Sequence, residues 1–402
     1  MQRRDSVAVI LAASHMKPHA TVEGTHRYAE RFAGRTGGVH FVSIPDPDAR
    51  HIVSANVTAG PDTGLAVSTI GIGTYLGEPD QATDAAYTEA VIAAVESGFN
   101  VVDTAINYRL QRSERSIGAA LAELARRGYT REETLLCTKA GYLTPDGNMP
   151  ANPGEYFRTE FIEKGILRSE DIAAGCHAMS PRYLADQLNR SLRHLRVECV
   201  DVFYLHNPET QLTEFSLGDF LARIGAAFMW LETMVADGKI RAYGMATWNG
   251  FRVPQDSPEH LSLAAIESVA REIKGDNHHF RYVQLPVNLS MTEALTLPNQ
   301  TFQDKQTTIV EAASGMGVQL IASASLLQGR VARRLPPFVA QAIGLEDDAQ
   351  RALQFARSLP GITTALVGMR HADHVRANAR LFTLPIMTED QFAKLFSRGE
   401  SA

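Results

Sequence analysis

From Leu65 onward, short apolar runs alternate with amphipathic stretches. "LAVSTIGIGT" leads into "TDAAYTEAVIAAVESG", where Tyr87, Val91, Ala94 and Val95 share one helical face and Gly98 stands where a helix ends. "FNVVDT" reads as a second strand, followed by a helix from about Ser113 to Arg127. "TLLCTKA" is a third. A long irregular stretch separates it from "SPRYLADQLNRSLRHL", with Ser180 at the cap, Pro181 in the first turn and a stripe of Leu184, Leu188, Leu192 and Leu195. The alternation continues through "CVDVFYLH", "IRAYGMAT", "RYVQLPVNL", "VQLIASAS" and "TTALVGM". Helices are expected up to Ala236, over "SPEHLSLAAIESVAREIKG", over about Asp304–Ser314 and Glu346–Ser358, and over "ADHVRANARLF".

Eight strands alternating with eight helices predict parallel β/α units, and eight such units close into a barrel. An open doubly wound sheet is disfavoured. "GIGTYLG" supplies Gly71 and Gly73 but no third glycine at dinucleotide-fingerprint spacing. The expected organisation is an arm and β-hairpin over residues 1–64 and a (β/α)8 barrel over 65–402. The hairpin is expected within "HFVSIPDPDARHIVSANV", around its Pro-Asp-Pro-Asp turn.

Composition narrows the function classes. The net charge of −6 and the absence of a Lys/Arg run longer than two argue against a nucleic-acid surface. No apolar run reaches the roughly 18 residues of a membrane span. "SVAVILAASHM" after Arg3 and Arg4 faintly resembles a signal peptide, but its core is short and no cleavage site follows. Three cysteines, Cys137, Cys176 and Cys199, fit a reducing cytoplasm better than a disulfide framework. Adjacent Cys176 and His177 make a poor ligand pair, so no metal site is expected. His278 and His279 read as surface residues.

In an eight-stranded α/β barrel, chemistry sits at the C-terminal strand ends. Asp103 and Tyr108 follow the second strand, Lys139 the third and His206 the fourth. Thr247 and Trp248 follow the fifth, and Gln284 lies on the sixth.

Together "VVDTAINY…SERSIGAAL", "TKA", "DVFYLHNP" and "LVGMRHADHVRAN" resemble the aldo-keto reductases, in the bacterial long-form branch, over about residues 65–385. The resemblance implies a reaction. Tyr108 protonates a carbonyl oxygen as hydride arrives from a nicotinamide, and Lys139 lowers the phenol pKa. Asp103 holds Lys139, and His206 orients the carbonyl. It implies cofactor contacts from Gly73, Thr74, Thr247, Gln284, Ser323, Gly368, Arg370, His374 and Asn378. Arg370 and the family habit favour NADP over NAD. The family's asparagine after the fifth strand is replaced by Thr247, and its stacking ring aligns with Ala322. Tyr75, Tyr142 and Trp248 are assigned to the substrate pocket. Residues 141–179 are too long for a plain connection and start beside Lys139, which predicts a lid or pocket wall on the catalytic face.

The expected activity is reduction of an aldehyde or ketone, or the reverse oxidation of an alcohol. The alternatives are a lyase, isomerase or cyclase using the same four residues, and a nucleotide-binding regulatory module. A small molecule is the expected partner; the sequence does not specify the oligomeric state.

Overall fold

A run of three to seven mostly apolar and β-branched residues is the length of a buried strand. In the computed structural model, which describes residues 17–34, 40–47 and 64–396, eight such runs pair in parallel. They are β3 (Ile70–Gly73), β4 (Val101–Asp103), β5 (Leu135–Ala140), β6 (Val200–His206), β7 (Ile240–Ala246), β8 (Phe280–Pro286), β11 (Gln319–Ser323) and β12 (Ile362–Gly368). Each pairs with the next, and β12 returns to β3 with Gly368 opposite Gly73, closing the barrel.

Two short antiparallel pairs lie outside it. β1 (Phe41–Pro45) pairs with β2 (Gly64–Ser68), and β9 (Gln300–Phe302) with β10 (Lys305–Thr307). Among the described residues the hairpin partner of β1 is Gly64–Ser68. The run read as one strand from Leu65 is two, broken at Thr69. Ile44, Leu65 and Val67 pack against Val101 and Leu135, the first residues of β4 and β5. The hairpin thus closes the N-terminal mouth of the barrel and leaves the other mouth for chemistry. Ser6–Met16 and the His51–Val57 run lie outside the described residues.

Helices cover the strands. Their apolar stripes form the main core with the outward faces of the strands. The helix Pro181–Leu195 buries Leu184, Leu188 and Leu195 as its spacing requires. Ser180 occupies its cap position, but the hydroxyl makes no capping bond. The helix before β8 starts at Leu263, capped by Ser262 through Ala265 N, and not at Ser257-Pro258. The β9–β10 pair occupies the stretch before Thr308, so the next helix is Ile309–Met316, closed by a Thr308/Glu311 capping box.

Residues 141–179 contain a short helix (Pro153–Phe157), a π turn (Arg158–Ile162) and a 3₁₀ turn (Ser169–Asp171). Tyr156, Phe157 and Phe161 pack with Leu167, Ala178 and Tyr183 in a core of their own. His278 is fully buried with its Nε2 3.6 Å from Glu267, and His279 pairs with Glu232 at 2.8 Å. Neither is the surface residue expected, because carboxylates on the neighbouring helices turn toward them.

Candidate active site

The parallel register brings several strand-end residues together. Gly73, Asp103, His206, Ser323 and Gly368 are each the last residue of their strand, and Lys139 is the last but one of β5. Gly73 stands opposite Asp103, and Ala246 opposite both His206 and Gln284. Lys139 is fully buried. Its Nζ donates to Asp103 Oδ1 at 2.5 Å and to the Thr104 carbonyl at 2.8 Å. The other Asp103 oxygen accepts from Gln284 Nε2 at 2.9 Å. The same ammonium stands 5.1 Å from the centre of the Tyr108 ring. The His206 ring lies edge-on to Tyr108 at 5.7 Å, with its Nδ1 3.2 Å from Asn107 Oδ1. Asp103, Tyr108 and His206 open into one cleft of about 1280 Å³, with Lys139 just behind its wall.

Tyr108 is turned back over the strand ends by an unusual loop. Arg109, Leu110 and Gln111 all have left-handed backbones, with φ of 51°, 57° and 69°. Non-glycine residues resist this conformation, so something must hold it. Arg109 donates to the Glu78 and Asp80 carbonyls and to Asp84 Oδ1, which stands 2.6 Å away. The Leu110 carbonyl accepts from Gly147 N at 2.8 Å.

A family model, Aldo/keto reductase family, matches residues 69–336, well over half of the chain. The chain belongs to the aldo/keto reductase family. Among curated relatives, Protein tas of Escherichia coli is 24% identical over 378 residues, covering 83% of this chain and 95% of its own length. D-threo-aldose 1-dehydrogenase of a Pseudomonas species is 27% identical over 197 residues, 48% of this chain and 54% of the relative. The chain spans about half the length of most of the curated relatives it matches. Two solved structures share the fold. An aldo/keto reductase of Klebsiella pneumoniae in complex with NADP and acetate has a TM-score of 0.56 at 18% identity, with 83% of this chain and 92% of that one covered. The glycerol dehydrogenase of Gluconobacter oxydans has a TM-score of 0.57 at 18% identity, over 86% and 96%.

Electrostatics in this aldo/keto reductase barrel depart from expectation at one group. Burial pushes the Tyr108 phenol above its ordinary value, and the opposing pull of Lys139 does not cancel it. Burial is the largest influence on the Lys139 ammonium and opposes it, but the charges of Asp103 and Tyr108 and the hydrogen bond to Asp103 together outweigh it, so the amine is held above the usual lysine value. Burial raises Asp103 against the pull of Lys139 and Gln284. His206 is pushed well below the ordinary histidine range by burial, then by the Lys139 and His177 charges, so its ring is neutral near pH 7.

The remaining expected residues fall in two places. Gly73, Thr74, Thr247, Gln284, Ser323, Gly368, His374 and Asn378 all line the cleft, as do Tyr75, Tyr142 and Trp248. Arg370 is outside it. Its side chain passes Gly77 and donates to His371 Nε2 at 3.3 Å. Arg333 and Arg380 line the far end instead. No spacing rule singles them out; only the folding of two loops onto one wall does. The amide nitrogen of Gln284 is committed to Asp103, which leaves its oxygen for a ligand.

A nicotinamide nucleotide fits the donors present. The Thr247 and Ser325 hydroxyls are buried in the cleft wall without a partner. A side chain at Gly368 would enter open space, and one at Gly73 would meet only the Val367 and Gly368 backbone at 3.8–4.0 Å, so either would fill room a ligand can use. Among the described residues no three His, Cys, Asp or Glu side chains are grouped to hold a metal ion. No helix among them is long and apolar enough to cross a membrane.

His177 also escaped the sequence reading. It is buried, with Nε2 2.8 Å from the His206 carbonyl and Nδ1 2.9 Å from Gln211 Nε2. Of residues 141–179, only Tyr142 reaches the cleft wall.

Proposed function

We propose that this chain is an oxidoreductase that reduces an aldehyde or ketone to an alcohol, or runs the reverse, with NADPH as hydride donor. The observation that carries this reading is the buried Lys139–Asp103 pair beneath Tyr108, at the mouth of one cleft shared with His206. When bound, the reduced nicotinamide supplies the hydride. Tyr108 gives its proton to the oxygen of the carbonyl, which becomes a hydroxyl. Lys139 stabilises the phenolate left behind, because an ammonium about 5 Å away in a low-dielectric site favours the charged phenol. Asp103 keeps that ammonium charged. His206, neutral, positions the carbonyl oxygen through an Nε2–H hydrogen bond, in the tautomer whose Nδ1 accepts from the Asn107 amide nitrogen with that amide turned over. Buried hydroxyls at Thr247 and Ser325 would hold polar groups of the nucleotide.

NADP is preferred to NAD in this reading because Arg333, Arg380 and His374 lie along the far part of the cleft. The Klebsiella neighbour, solved with NADP, agrees with that preference.

The test pairs binding with turnover. Calorimetric titration with NADPH and NADH gives affinity. Loss of nicotinamide absorbance with glyceraldehyde, methylglyoxal and 4-nitrobenzaldehyde gives turnover. Tyr108→Phe should leave NADPH affinity unchanged and cut turnover by at least roughly 100-fold, the lower end for a general acid. Unchanged turnover removes Tyr108 as donor. Absence of binding to both NADPH and NADH removes the redox reading, and NADH binding alone removes the preference for NADP.

A further inference from the structure

Glu209 is 3% exposed, yet among the described residues its carboxylate has no cationic partner within ion-pairing distance, and it does not line the cleft. Its Oε1 accepts three consecutive backbone N–H groups, from Trp248 at 2.7 Å, Asn249 at 3.0 Å and Gly250 at 3.4 Å. Successive N–H groups that converge in a turn form an anion-binding concavity. Here the anion is a side chain from the neighbouring loop. Its Oε2 is buried with no hydrogen-bond partner. A buried carboxylate left half-satisfied is costly, so what it holds must need holding.

What it holds is the residue that carries an indole into the cleft. Trp248 is 39% exposed and lines the cleft together with Tyr108, Tyr142 and His206. Its carbonyl is held as well: Arg252 Nη1 donates to it at 2.9 Å, while Arg252 Nη2 binds Glu293 at 3.0 Å. Both peptide groups of Trp248 are thus gripped by charged side chains. Glu209 in turn is aimed by the turn after β6. Asn207 adopts a left-handed backbone and its N–H binds the Ala246 carbonyl at 2.6 Å, joining the β6 and β7 loops.

We propose that Glu209 is a positioning residue that fixes Trp248 as a rigid wall of the substrate pocket. The wall sets how tightly the substrate is held and leaves the chemical step to Tyr108. The kinetic part of this inference rests on the reductase reading; the positional part does not.

The sequence holds two tryptophans, so Trp230→Phe leaves Trp248 as the single fluorophore. Trp230 packs against Phe203, away from the cleft. In that background, with NADPH present or absent, Glu209→Ala should add a fast component to the anisotropy decay of Trp248. Glu209→Gln, which keeps an acceptor, should restore most of the slow decay. With an accepted carbonyl substrate, Glu209→Ala should raise KM about tenfold while kcat falls less than threefold. Trp248→Ala should show the same KM, and the double variant should be no worse than Trp248→Ala alone. Unchanged anisotropy in both Glu209 variants overturns the proposal, even if no substrate is found. Additive effects in the double variant overturn it too. If Glu209→Ala does not fold, the Glu209→Gln decay and its KM carry the decision: a wild-type decay with a raised KM rejects positioning.

Discussion

Two buried histidines should make this protein lose stability just below neutral pH. Burial holds His177 at about 4 and His40 at about 3, against an ordinary histidine value of 6.5. Both are 1% exposed. Their folded pKa values are depressed, so the native imidazoles stay neutral while those of the unfolded chain take up protons below 6.5. The unfolded state then binds more protons, and stability falls as pH falls from 6.5 toward 4. By linkage, moving from pH 7 to pH 5 costs about 2 kcal/mol for each histidine and about 4 kcal/mol for both. Burial lowers His206 and His19 as well, which adds in the same direction. Paired carboxylates act in a different window. Glu267, held at about 2 by the adjacent His278 and by Arg271, loses its contribution only below about 4.5.

The assay is urea unfolding followed by far-UV circular dichroism at pH 7, 6 and 5. With a slope of about 3 kcal/mol/M, the midpoint should drop by roughly 1 M or more across that range. His177→Gln keeps an amide donor facing the His206 carbonyl but cannot titrate. It should be less stable at pH 7, and the pH-dependent part of its loss should be smaller by about 2 kcal/mol. The same pH dependence in His177→Gln and in the parent would refute the reasoning. So would a midpoint that does not move between pH 7 and pH 5.

Lys139→Met should lower turnover by at least roughly 100-fold, measured as NADPH consumption. A charge about 5 Å from the phenol at an effective dielectric near 20 contributes about 3 kcal/mol, or about two pKa units. The same change leaves Asp103 buried with only Gln284, so the melting temperature should fall; adding Asp103→Asn should recover stability but not turnover. Turnover within tenfold of the parent would remove Lys139 from the proton-donor system. Leu110→Gly should raise the pH 7 urea midpoint, by up to about 1 kcal/mol of stability, because glycine adopts the left-handed backbone without strain. A fall would show that the Leu110 side chain, and not its backbone bond to Gly147, holds the turn.

Much of the fold was readable because strand ends and helix starts leave local marks. The Asp103-to-Tyr108 interval, Lys139 before a long insert and His206 at the end of an apolar run are local facts, and the closed barrel turns them into neighbours. The unreadable parts depend on partners distant in the chain. The β1 strand pairs with Gly64–Ser68 because the barrel mouth needs a cover, and nothing within Phe41–Pro45 says so. Ser257-Pro258 is a good helix start that the protein does not use; Ser262 caps instead. Arg370, which the resemblance offered as a cofactor contact, lies outside the cleft, whereas Arg333 and Arg380 line it. Glu209 and His177 grip backbone atoms of other loops, and a backbone atom has no letter in a sequence.

The 141–179 insert, expected as a lid or a pocket wall, is the clearest case, because its contacts lie with residues distant in the chain. It gives the cleft wall only Tyr142, and its other aromatic rings pack on one another. Its two ends are tied to the residues proposed for catalysis. At one end, Gly147 N binds the Leu110 carbonyl, and Gln111 Nε2 donates to the carbonyls of Thr144 and Pro145 at 3.4 and 3.2 Å. These bonds hold the left-handed turn that follows Tyr108. At the other end, His177 binds the His206 carbonyl, and the first end reaches the same side, where Asn207 Nδ2 donates to the Tyr142 hydroxyl at 3.0 Å. A lid must leave its closed position at low cost, and so makes few bonds to the barrel. This segment makes buried ones on both sides of the cleft. Its geometry is that of a brace, which sets the distance between the loop carrying Tyr108 and the loop that follows His206.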